Sequence, residues 1–135
     1  MTLFEYGEYK IEYSKPDNLV ELFENSAAKY GSNLLIGEKD PAGVYQWVTY
    51  SQIATRINNL RAGLASLGLK AGEAAGIIAN NRKDWLVGEI ATQGLGAAWV
   101  PMYEKELLAT WKYIIKDAAV RSEEHTSELQ SPNTI

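Results

Sequence analysis

The chain has 135 residues, 46% hydrophobic and 22% charged, with a formal net charge of −4 and a mean hydropathy of −0.24, the size and composition of one soluble globular domain. No apolar run approaches the roughly 18 residues of a membrane span, the opening MTLFEYGEYK lacks the basic-then-apolar order of a signal peptide, and the acidic balance offers no basic surface to nucleic acid. The absence of cysteine excludes disulfides and thiolate chemistry, and with no export signal it sets a cytoplasmic location as the expectation.

Residues 1–15 are rich in Tyr and Glu with loose alternation and read as an extended lead-in. A helix is expected after Pro16, capped by Asp17 or Asn18, with Leu19, Leu22, Phe23 and Tyr30 on one face. Gly31 is expected to end it in the left-handed conformation. Leu34, Leu35 and Ile36 form a short strand, Asp40-Pro41-Ala42-Gly43 a turn, and Val44, Tyr45, Trp47 and Val48 the returning strand of a hairpin. Thr49 and Gln52 stand at the spacing of a capping box. The helix they open carries Ile53, Ile57, Leu60, Leu64 and Leu67 on one face, and Gly68 stops it. Ala74 to Ala79, reading AAGIIA, lacks alternation and suits a central parallel strand covered on both faces. Asn81 is the expected cap of a helix containing Trp85, Leu86 and Ile90, with Asp84 favoured in its first turn by the dipole. Gly94 and Gly96 end that helix, Ala97 to Val100 is the next strand, and Pro101 terminates it. A last helix is expected from about Glu104 to Asp117, with Leu107, Leu108, Trp111, Ile114 and Ile115 on a broad apolar face. Ala118-Ala119-Val120 then starts something strand-like. Strand–helix–strand–helix with short connections means right-handed parallel crossovers. The fold class is therefore α/β, a parallel-strand sheet with covering helices plus a small antiparallel hairpin.

From Arg121 the character changes to RSEEHTSELQSPNTI, where periodic apolar residues stop. Arg121 to Ser131 resembles the translation of a common sequencing-library adapter, matching codon for codon in one frame. Residues 121–135 are accordingly expected to be a non-native, disordered tail, with the reading frame cut after Val120 rather than ended by a stop. The tail holds the single histidine, His125, and a net charge of −2, half that of the chain. Residues 1–120 then hold neither His nor Cys, so Ser-His-Asp triads, Cys-His pairs and His-ligated metals cannot be built from them.

The block from Trp47 to Tyr103 resembles the beginning of the AMP-forming adenylate-forming enzymes, the acyl-CoA synthetase superfamily. WVTYSQIATRINNLRAGLASLGLKAGE looks like one shared motif and QGLGAAWVPMY like another. GIIANNRKDW between them, and VPMYE before a helix and DAAV, look like the forms found in long-chain fatty acyl-CoA synthetases. The resemblance extends over residues 17–120 and implies a partial N-terminal AMP-binding (adenylation) domain over residues 1–120. It implies that a longer parent uses ATP, Mg2+ and CoA to convert a fatty acid to its acyl-adenylate and then its CoA thioester. Such chemistry needs a Gly/Ser/Thr-rich phosphate loop with a lysine, a carboxylate for magnesium and positive donors for the developing charge. None of the segments that supply these in the family occurs in this chain. No catalytic, cofactor-binding or metal residue is therefore carried over, and ATP, Mg2+ and CoA are not expected to bind productively here.

The residues themselves offer few alternatives. Gly94-Leu95-Gly96 follows a helix, whereas a phosphate fingerprint lies between a strand and a helix, so helix termination is the stronger reading. Asn80-Asn81-Arg82 could hold an anion at a helix start, but capping and solvation explain it better. Trp85, Trp99 and Trp111 could line an acyl tunnel, with core packing the better account. Glu104 and Glu106 could pair as acid and base, with a solvated face beside Lys105 the simpler account. Lys70 is a loop lysine with no visible partner. The chain thus reads as the inactive N-terminal part of a fatty acid–CoA ligase. The competing reading is a small standalone α/β binding or interaction module, which fold alone would equally support. No transmembrane segment is present in the sequence, and peripheral membrane association of the parent is left open.

Overall fold

In a computed structural model the described residues are 15–121, together with the backbones of two earlier strands. Those strands, β1 (Thr2–Tyr6) and β2 (Tyr9–Tyr13), pair antiparallel. The polar tail expected to follow Val120 lies outside the described residues apart from Arg121.

Helix α1 spans Leu19–Tyr30, and the Asn18 side-chain oxygen accepts the Glu21 backbone N–H at 2.9 Å, as an N-cap should. Gly31 at its end is not left-handed: its φ is −48°. The residue is small for a different reason. A methyl group there would stand 2.6 Å from the Ser51 hydroxyl, and the Gly31 carbonyl accepts the Ser51 N–H at 3.0 Å. The glycine lets the end of α1 press against the start of the next helix.

Strands β3 (Leu34–Lys39) and β4 (Tyr45–Thr49) form the expected antiparallel hairpin. Its turn is held by Asp40, whose carboxylate accepts the N–H groups of Ala42 and Val44, both at 2.9 Å, with Gly43 at φ 81°. Helix α2 (Tyr50–Ser66) follows without a gap. Thr49 and Gln52 make both bonds of the capping box: Thr49 N–H donates to Gln52 Oε1 at 2.8 Å, and Gln52 N–H to Thr49 Oγ1 at 3.2 Å. Gly68, at φ 87°, ends the helix in a Schellman motif, with Gly68 N–H bonded to the Ala65 carbonyl and Leu69 N–H to that of Leu64.

The α/β part consists of β5 (Ala74–Ile78), α3 (Lys83–Gln93), β6 (Ala98–Met102) and α4 (Leu108–Asp117). β5 and β6 run parallel, in register from Ala74 opposite Ala98 to Ile78 opposite Met102. Val120 makes a single parallel bridge to Ala74 on the other edge of β5. Pro101 does not terminate β6 but sits inside it, opposite Ile77. Ala98 N–H bonds toward β5, and alternate residues face alternate sides, so the missing N–H of Pro101 points to the outer edge, where no ladder bond is lost.

The core is the cluster Phe23, Ile53, Ile57, Val87, Ile90 and Ala91, where α1, α2 and α3 meet. Ile53 and Ile57 are fully enclosed, each contributing roughly 1.5–3 kcal/mol by burial. The expected apolar stripe on α2 is covered only in part: Ile53 and Ile57 are buried and Leu64 packs against the core, while Leu60 and Leu67 are exposed. β5 is likewise less covered than expected, with Gly76 exposed. α4 begins at Leu108, later than Glu104, since Tyr103–Glu106 forms a turn closed by Glu106 N–H to the Tyr103 carbonyl. No residue of α4 is fully buried. Among the described residues no helix is long and apolar enough to cross a membrane.

Two substitutions follow from this packing. The end of α4 repeats the Schellman pattern, Ala119 N–H to Lys116 and Val120 N–H to Ile115, but with Ala119 in the left-handed position at φ 48°. Ala119→Gly is expected to raise stability by about 0.5–1 kcal/mol, read as a higher melting temperature; no rise would mean the local backbone is unstrained. Gly88 on α3 lies flat against the Trp99 ring, which a methyl group would overlap. Gly88→Ala is expected to cost about 1–3 kcal/mol by overpacking, measured by denaturant titration.

Candidate functional site

In open parallel sheets, ligands gather beyond the carboxyl ends of the strands. Here those ends are Ala79–Arg82 after β5 and Tyr103–Glu106 after β6, and side chains of the chain itself bind them together. Asn80 Nδ2 donates to Glu104 Oε1 at 2.5 Å. The Trp85 indole N–H donates to the Ala79 carbonyl at 3.3 Å, and the Trp111 indole N–H to the Tyr103 carbonyl at 2.9 Å. Each of these tryptophans therefore clamps the exit of one strand, using its polar edge while its ring packs. Trp99 lies over Gly88 instead, its indole nitrogen buried without a partner. The three rings serve packing and strand ends, and none lines the cleft described below.

The N-terminus of α3 is the second feature of this edge. Asn81 does not cap it. The N-cap position is Arg82, which makes no side-chain cap bond and pairs with Asp84 at 2.5 Å. The cap comes from 45 residues earlier in the chain. The Glu38 carboxylate, on β3, accepts the Lys83 backbone N–H and the Lys83 ammonium, the latter at 2.5 Å. The Lys83 side chain, then its backbone amide, hold the Glu38 carboxyl below its ordinary value. A helix N-terminus free to take an anion is thus already filled by a carboxylate of the chain, which answers the possibility raised for Asn80-Asn81-Arg82.

The remaining candidates are dispersed. Gly94-Leu95-Gly96 closes α3 ahead of β6, the wrong context for a phosphate loop. Gly94 is small because a methyl group would lie 2.5 Å from Arg61 Nε, and Gly96 turns the chain at φ 73°. Glu104 is engaged by Asn80, while Glu106 is exposed on the turn. Lys70 offers its backbone N–H to Glu73 at 2.7 Å, and the Glu73 carboxylate also meets Arg121 at 3.0 Å. These contacts, the Lys70 amide foremost, lower the Glu73 pKa. A wide cleft of about 870 Å³ between α1 and the end of α3 lies at the opposite, amino-terminal end of β6. Its carboxylates are occupied: Glu21 accepts the Asp17 N–H at 2.8 Å and Glu24 pairs with Arg61 at 3.3 Å. Among the described residues no three His, Cys, Asp or Glu gather where they could hold a metal ion. Sequence reasoning missed Glu38, and no local signal could have found it, since its partner is distant in the chain.

Comparison with known proteins places this geometry. Residues 23–122 match the family model described as AMP-binding enzyme. Long-chain-fatty-acid–CoA ligase 6 of Rattus norvegicus is 27% identical over 110 residues, covering 80% of this chain and 16% of its own length. Long chain acyl-CoA synthetase 5 of Arabidopsis thaliana is 30% identical over 104 residues, covering 74% of this chain and 16% of its own. The chain thus spans about a sixth of the length of these relatives. Among solved structures, the N-terminal subdomain of Klebsiella oxytoca NpsA superposes with a TM-score of 0.66 at 18% identity, over 81% of this chain and 28% of that one. CmiS6 gives 0.71 at 22% identity, over 76% and 25%. These two likenesses establish the fold.

The tertiary cap yields a prediction with a defined sign. Because the fold lowers the Glu38 pKa, its contribution is present above the ordinary glutamate pKa and is lost as pH falls through the lower, folded value. Glu38→Gln is expected to cost about 1 kcal/mol at neutral pH, after allowance for solvent screening. In paired melts the gap between the two proteins should close under acid; a gap independent of pH would show that the charge is immaterial.

Proposed function

The chain belongs to the AMP-binding enzyme family, and from that premise we propose that it is the N-terminal part of the adenylation domain of a fatty acid–CoA ligase. The observation that carries this reading is the match over residues 23–122 together with two relatives named for long-chain substrates. The longer enzyme would join a fatty acid to ATP as acyl-adenylate, releasing pyrophosphate, and CoA would then displace AMP. Magnesium would accompany the ATP phosphates, as phosphate chemistry requires.

In this reading the chain itself contributes scaffold. Its helices and parallel strands fix the position of one edge of the sheet, and the groups beyond that edge are engaged with each other. The sequence holds no Gly/Ser/Thr-rich loop with a lysine, so nothing in it would cradle the triphosphate or balance charge at the transferred group. Residues 121–135 are read as foreign to the enzyme, on the adapter resemblance of their sequence.

ATP–pyrophosphate exchange with a long-chain fatty acid tests both halves. The chain alone is expected to give no exchange above background. The same residues extended through a full adenylation domain are expected to give fatty-acid-dependent exchange. Turnover by the chain alone would overturn the scaffold reading. Exchange by the extended protein with amino or aryl acids, and none with fatty acids, would overturn the substrate class.

A further inference from the structure

We draw no further inference here: the strongest candidate, the exposed outer face of the β3–β4 hairpin, where the Tyr45 and Trp47 rings stand 6.0 Å apart and the Lys39 ammonium lies over Tyr45, carries nothing, because nothing in the structure shows what covers it.

Discussion

The close approach of α3 to its neighbours is the constraint on which the rest of the structure depends. One face of the helix meets β6 through Gly88, flat against the Trp99 ring. Its end meets α2 through Gly94, against the Arg61 side chain. Between them Ile90, Ala91 and Thr92 are buried against the core. Had these positions carried larger side chains, α3 would stand away from the sheet and the isoleucines of α2 would lose their cover. Close packing of this kind leaves no slack for an added methyl. The helix that the sheet needs and the helix that α2 needs are one element, so its small residues couple the two halves of the core.

The polar groups at the edge of the sheet follow a second rule, that backbone groups left over by helices and strands must find partners. The chain satisfies them internally. Glu38 fills the N-terminus of α3, and the indoles of Trp85 and Trp111 take the carbonyls where β5 and β6 end. Asn80 and Glu104 tie the two exits to each other. The chain belongs to the AMP-binding enzyme family and spans about a sixth of the length of the two ligases compared with it.

Arg121 illustrates how composition and geometry address different questions. Its place in the sequence, at the head of a polar tail, sets it apart from the domain. In space it lies against the end of α2 and the start of β5: its backbone N–H bonds to Ala74, and its guanidinium reaches the Gly68 carbonyl and Glu73. A guanidinium at the C-terminal end of a helix is favoured wherever the residue came from, because the exposed carbonyls there carry negative partial charge.

By itself the sequence determined what short-range chemistry can encode. The capping box at Thr49 and Gln52, the Asn18 cap, the Asp40–Gly43 turn and the Gly68 stop each depend on atoms within a few residues, and all stand in the structure. The alternation of strands and helices and the family were equally legible, since the Trp47–Tyr103 block carries both. Only the tertiary structure decided the features whose partners are remote. Gly31 and Gly94 do stand at the ends of their helices, but Gly31 is not left-handed there, and both are also points of contact, because Ser51 and Arg61 arrive from other elements. Asn81 looked like a cap and is displaced by Glu38, because a carboxylate on a neighbouring strand reaches the same amide. Pro101 looked like a terminator and is accommodated, because among the described residues β6 pairs only with β5 and Pro101 faces away from it. Leu67 matched the buried stripe of α2 and is exposed, because a stripe says which side of a helix is apolar, whereas burial requires something on the other side.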